Sequence, residues 1–173
     1  MKNGVRAPRE TAIDPYAIHE AGHALVAALC GLPIKWVDLH PDNSSKDEWG
    51  WPTAAKGLRL RRARMSAMTH ISLSMAGKAA EVVCRCDIPE SDRSDREYAW
   101  QVLDAMCRTR DDEVRLADFA FDTAESLLRR NLRALRTLAR ALGERGRLTG
   151  AEVVEIVARH RRKERTAGRR RAA

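Results

Sequence analysis

Asp14-Pro15-Tyr16-Ala17-Ile18-His19-Glu20-Ala21-Gly22-His23-Ala24-Leu25-Val26-Ala27-Ala28-Leu29-Cys30-Gly31-Leu32-Pro33 reads as one punctuated helix carrying two histidines on one side. Asp14 is a good N-cap, and Pro15 suits the first helical position, where its missing N–H costs nothing. Gly31 fits the left-handed position after the last turn, and Pro33 stops the helix. His19 and His23 lie one turn apart, so both imidazoles can reach one metal ion. Glu20 then stands beside the ion's open position, placed to take a proton from water. The bland alternative is a helical turn with two unrelated histidines. Ile18, Leu25, Val26 and Leu29 supply an apolar face, while the alanines keep the helix thin. Gly22 disfavours a helix by roughly 1 kcal/mol relative to alanine, which implies that something approaches the backbone there.

The 173 residues allow one domain with a sizeable core, or one domain with tails. The chain is light in aromatics and rich in Ala, Leu and Arg, which favours helices. No apolar run approaches the roughly 20 residues that span a bilayer, and Met1 to Glu10 lacks the apolar stretch of a signal peptide. A cytoplasmic protein is therefore expected, and its four cysteines suit a reducing compartment. Cys30 and Cys107 read as small helix-packing groups, and Cys84 and Cys86 point to opposite sides of a helix. The net charge is +8, but seven Lys or Arg against one Glu fall after Arg159. That concentration describes a solvated basic tail, so nucleic acid is not expected beyond non-specific contact.

Residues 1–13 read as a loose lead-in, 14–158 as the domain and 159–173 as a basic, disordered tail. Ile34 to His40 alternates apolar and polar, the signature of a half-buried strand. Residues 42–57 read as a loop, within which Trp49-Gly50-Trp51 could add a short strand. Helical patterning resumes from Leu58 to about Cys86. Ser94 with Glu97 forms a candidate capping box for the next helix. A single long helix is expected over roughly Asp112 to Leu142, with Leu128, Leu132, Leu135, Leu138 and Leu142 as a core or partner-packing stripe. Thr149 and Glu152 make a second capping box. The fold class is mainly α, a multi-helix domain with one small β element after the metal-binding helix.

Two histidines and a water leave one protein ligand to find. No H-E-x-x-H-x-x-G-x-x-H occurs, so the candidates are His40, Glu81, Asp92 and Asp95. His40 and His70 read as ordinary polar residues. Asp95 falls in a first helical turn, where the helix dipole favours a carboxylate in any case.

His19-Glu20-Ala21-Gly22-His23-Ala24 resembles the metal helix of the FtsH-type ATP-dependent zinc metalloproteases. Ile34 to Pro41 is similar to the strand that follows it in that family. Ala76-Gly77-Lys78-Ala79-Ala80-Glu81 resembles the family's A-G-R-A-A-E helix, and Ser94-Asp95 with Ala99 its S-x-D-L-x-x-A segment. Asn131, Leu135, Ala139, Leu142, Leu148, Gly150 and Glu152 follow its C-terminal pattern. The resemblance implies His19, His23 and Asp95 as zinc ligands, Glu20 as general base, and Glu81 as a carboxylate that steadies a ligand from behind. Arg96 stands where the family has Leu. No G-x-x-x-x-G-K-[ST] occurs, so ATP binding by this stretch is not expected.

The resemblance thus implies a compact zinc metalloendopeptidase domain that cleaves unfolded or flexible protein segments, and the missing nucleotide-binding motif adds the expectation that it does so without ATPase activity of its own. An extended substrate could align along the edge of strand 34–40. Protein substrate, a homo-oligomer (a hexamer by resemblance) or a separate ATPase are the implied partners. The alternative is a catalytically weak, peptidase-like domain that binds such a partner.

Overall fold

A computed structural model describes residues 12–39, 57–60 and 65–171. Among these the chain is mainly helical with one small sheet. Helix α1 (Pro15–Leu29) begins where the caps place it. Asp14 accepts a hydrogen bond from the Tyr16 N–H at 2.9 Å, and Gly31 closes the helix with a φ of 70°. Every residue from Ala17 to Ala27 except Glu20 is buried, so α1 runs through the middle of the domain.

Strand β1 (Ile34–Asp38) ends two residues short of the expected strand; His40 and Trp49 to Trp51 lie outside the described residues. The helix expected from Leu58 is corrected. Leu58–Leu60 forms strand β2, and helix α2 (Ala67–Cys84) starts only after Ser66, whose hydroxyl accepts from the Thr69 N–H at 3.1 Å. Leu-Arg-Leu alternates in the way a strand requires, but three residues are too short a run for periodicity to decide. Helix α3 (Arg93–Met106) starts two residues earlier than a Ser94 cap would allow, so Ser94 is helical and its capping box with Glu97 does not form.

The single long helix is also corrected. Helix α4 (Arg110–Arg130) and helix α5 (Leu132–Arg145) meet at Asn131, whose side-chain amide donates to the Leu127 carbonyl at 2.8 Å. A side chain that competes for a helix carbonyl favours termination there. The leucine stripe crosses this break and turns inward. Leu128, Leu135, Leu138 and Leu142 are fully buried, and α5 packs along α1. Their core role is the one the structure shows, and Leu132, partly buried, packs against the same core.

Strand β3 (Arg147–Thr149), unexpected from the sequence, precedes helix α6 (Gly150–Arg171). The Thr149–Glu152 box forms as expected, with Glu152 accepting from the Thr149 N–H at 2.7 Å and Thr149 Oγ1 from the Glu152 N–H at 3.4 Å. Helix α6 continues through most of the stretch that reads as a loose basic tail. Glu155 and Arg159, four apart and 2.7 Å from each other, support it locally.

The sheet order is β2-β1-β3, all antiparallel, with Val37 opposite Leu58 on one side and Leu148 on the other. Strand β1 is therefore central, and a substrate cannot add to its edge as the sequence suggested. Helix α2 lies directly on α1: a Cβ at Gly22 would come within 2.5 Å of the Ala76 carbonyl oxygen. The other side of α2 meets α3 and α4 over a smaller core of Ile71, Ala99, Leu103, Ala117 and Ala120. Two helix faces thus converge on α2, one bearing the histidines and one bearing Asp95.

Candidate metal centre

His19, His23 and Asp95 come together in the interior, 5%, 0% and 4% exposed. The histidines occupy one face of α1, and Asp95 enters from the first turn of α3. His19 Nε2, His23 Nε2 and Asp95 Oδ2 stand 3.2 Å from one another along all three sides. Gly77 on α2 makes the convergence possible, since a Cβ there would fall on both imidazole rings. A glycine inside a helical stretch permits such a close approach.

The remaining ring nitrogens decide what those three atoms can do. His19 Nδ1 lies 2.7 Å from Glu81 Oε1, and His23 Nδ1 lies 2.8 Å from the Leu73 carbonyl oxygen. Both partners can only accept, because Glu81 is ionised, so each Nδ1 carries a proton and donates it. In the neutral rings both Nε2 lone pairs then face each other and a carboxylate oxygen. Three acceptors at this spacing repel unless a proton or a metal ion lies between them, and these three residues could hold a metal ion.

Their charges are strongly coupled. Burial alone would lower the His19 pKa, but its hydrogen bonds with Asp95 and Glu81 outweigh this and raise it to about 9. Burial would raise Asp95, yet the charge of His23 and the hydrogen bonds from both histidines hold it below the usual carboxylate value. Glu81 follows the same logic: burial opposes its charge, while His19, Ser91 and Lys78 bring it down to about 2.

Glu20 is set apart from this network. Its Oε2 is buried without a hydrogen-bond partner among the described residues. Burial pushes its carboxyl above the ordinary value, and the charge of His23 and His19 draws it part of the way back. The backbone at Gly57, just before β2, passes so close that a Cβ there would overlap the Glu20 carboxylate. An unsatisfied buried carboxylate oxygen beside a possible cation site is placed to accept a proton.

The other candidates separate cleanly. Asp92 precedes α3 and pairs with Arg96 at 3.3 Å, outside the triangle. Glu81 touches His19 from behind, on the nitrogen away from Asp95. His70 faces the Tyr98 hydroxyl at 3.3 Å. Cys30 is exposed at the end of α1, so it does not pack as expected, and Cys84 and Cys86 are free thiols. Sequence reasoning missed Gly57, Lys78, Ser91 and the Leu73 carbonyl. Only Lys78 carried a signal, three residues before Glu81 on the same helix face.

Comparison with protein-family models and with curated proteins finds no match for this chain.

Proposed function

We propose that the chain is a zinc-dependent metalloendopeptidase that hydrolyses peptide bonds in unfolded or flexible protein segments. The observation that carries this reading is the buried triangle of His19 Nε2, His23 Nε2 and Asp95 Oδ2 with an unpartnered Glu20 oxygen nearby. An ideal tetrahedral site with bonds of about 2.0 Å has edges of about 3.3 Å, close to the 3.2 Å sides found here. Two imidazoles and one carboxylate are a donor set that zinc hydrolases use, with one position left for substrate or water. The sequence resemblance to the FtsH-type peptidases assigns the same residues the same parts.

Zinc held there would supply Lewis-acid chemistry, polarising a scissile carbonyl and making water acidic enough to lose a proton near neutral pH. Glu20 would receive that proton on Oε2 and return it to the leaving amine. Its burial favours this exchange, since a raised carboxyl pKa lies nearer the working pH than an ordinary one. Glu81 would keep His19 in the tautomer that presents Nε2 inward, and the Leu73 carbonyl would do the same for His23. An extended substrate would pair with β2, the strand whose approach at Gly57 touches Glu20, because β1 is already paired on both sides.

The direct test is cleavage of a denatured protein by the zinc-loaded chain. Cleavage is expected to stop on chelation and return on adding zinc. Intact substrate after prolonged incubation with the fully zinc-loaded chain would reject the peptidase reading.

Zinc binding also has an expected pH dependence. His19 keeps its second proton below about 9, and that proton competes with a metal ion for Nε2. Apparent zinc affinity should therefore fall about tenfold per pH unit from about pH 9 toward neutrality, with one proton released per ion. Competition against a chelator of known pH behaviour measures this. A flat affinity between pH 7 and 9 would show that zinc does not displace the His19 proton.

A further inference from the structure

Glu81 is fully buried, yet its carboxylate accepts four hydrogen bonds from outside its own backbone. Oε1 takes His19 Nδ1 at 2.7 Å and the Ser91 hydroxyl at 2.5 Å; Oε2 takes Lys78 Nζ at 2.9 Å and the Ile88 N–H at 3.1 Å. Lys78 also reaches Asp87 at 2.5 Å. A carboxylate offers about four lone-pair sites, so this one is saturated. The Lys78 ammonium supplies the counter-charge without which a buried carboxylate is costly.

The origin of these donors matters more than their number. His19 belongs to α1, while Asp87, Ile88 and Ser91 belong to the segment that leads from α2 into α3. Four residues beyond Ser91, α3 presents Asp95. One carboxylate therefore fixes the ring of a histidine and also the path of the chain that delivers the third member of the triangle.

We propose that Lys78 and Ser91 are positioning residues of the metal centre, which act through Glu81 to lock the 87–91 segment so that α3 holds Asp95 against His19 and His23. Zinc binding and docking of that segment are then one coupled event, and each strengthens the other by the same factor. The inference rests on the metal-site reading above and extends it to residues that touch no ligand atom.

The test uses zinc itself as the probe and the full chain. Ser91→Ala and Lys78→Met are each expected to weaken zinc binding on the order of tenfold, the usual scale for partners that orient a ligand. Lys78→Arg should recover most of the loss. In a Glu81→Gln background, Ser91→Ala should cost nothing more, because both act along one path. Hydrogen exchange adds a readout that simple destabilisation does not move: zinc should slow exchange at the amides of 88–95 in the wild type, and less so in Ser91→Ala. Unchanged affinity in both single variants, or an equal loss from Ser91→Ala with and without Glu81, would overturn the proposal. A wild-type chain that binds no zinc would overturn the metal reading along with it, so the two failures are told apart.

Discussion

Glu20→Gln is expected to leave zinc bound and to lower peptide hydrolysis on the order of 10³-fold, within the range that a general acid–base group contributes. The substitution keeps the size of the side chain and its fit under the Gly57 backbone, where no extra atom has room. It removes the one property the mechanism needs, a carboxylate oxygen able to accept and return a proton. Glu20 Oε2 has no hydrogen-bond partner among the described residues, so the backbone hydrogen bond with Gly57 is the contact the amide must keep. Relief from burying a charge should even favour the variant slightly, since burial is the main cause of the raised Glu20 pKa. A metal assay and single-turnover cleavage on the same preparation make the comparison. Cleavage by zinc-loaded Glu20→Gln within tenfold of wild type would remove Glu20 from the reaction.

Asp95→Ala should have the largest effect on the metal itself. It takes away one of three converging atoms and leaves two Nε2 atoms 3.2 Å apart without the carboxylate oxygen they converge on. Zinc affinity should drop well beyond the roughly 10–100-fold typical of residues that only orient a ligand. Asp92→Ala provides the internal contrast. Asp92 lies three residues away and pairs with Arg96 on a partly exposed surface, an interaction worth at most about 1 kcal/mol. Its removal should leave zinc affinity near that of the wild type, measured by chelator competition. Equal losses in the two variants, or full zinc occupancy in Asp95→Ala, would undo the assignment of the third ligand.

The contrast between these two aspartates shows where sequence information ran out. Both fall near the start of one helix, and both carry a local explanation that involves no metal. What separates them is the phase of α3: with the helix beginning at Arg93, Asp95 turns inward toward α1, while Asp92 takes the N-cap position without a side-chain capping bond. The capping box at Ser94 and Glu97, the stronger local signal, would have started the helix later. Tertiary packing of Ala99 and Leu103 against α2 sets the phase instead.

Helix α1 was legible almost in full. Its caps, its thinness and its two histidines are all properties of a single turn-by-turn pattern, and local patterns are what a sequence states directly. Gly22 was legible as a close approach, though not what approaches it. The break at Asn131 was hidden because the leucine periodicity continues across it, and one side-chain bond to the Leu127 carbonyl decides between one helix and two.

The sequence by itself determined a mainly helical chain, a histidine pair on one face of α1 and a short list of carboxylates that could join it. Only the tertiary structure decided which carboxylate arrives, which strands pair with β1, and how Glu81 ties His19 to the segment before Asp95. Those outcomes depend on contacts between residues some 60 to 76 positions apart, and such contacts are set by how whole helix faces pack rather than by any local pattern.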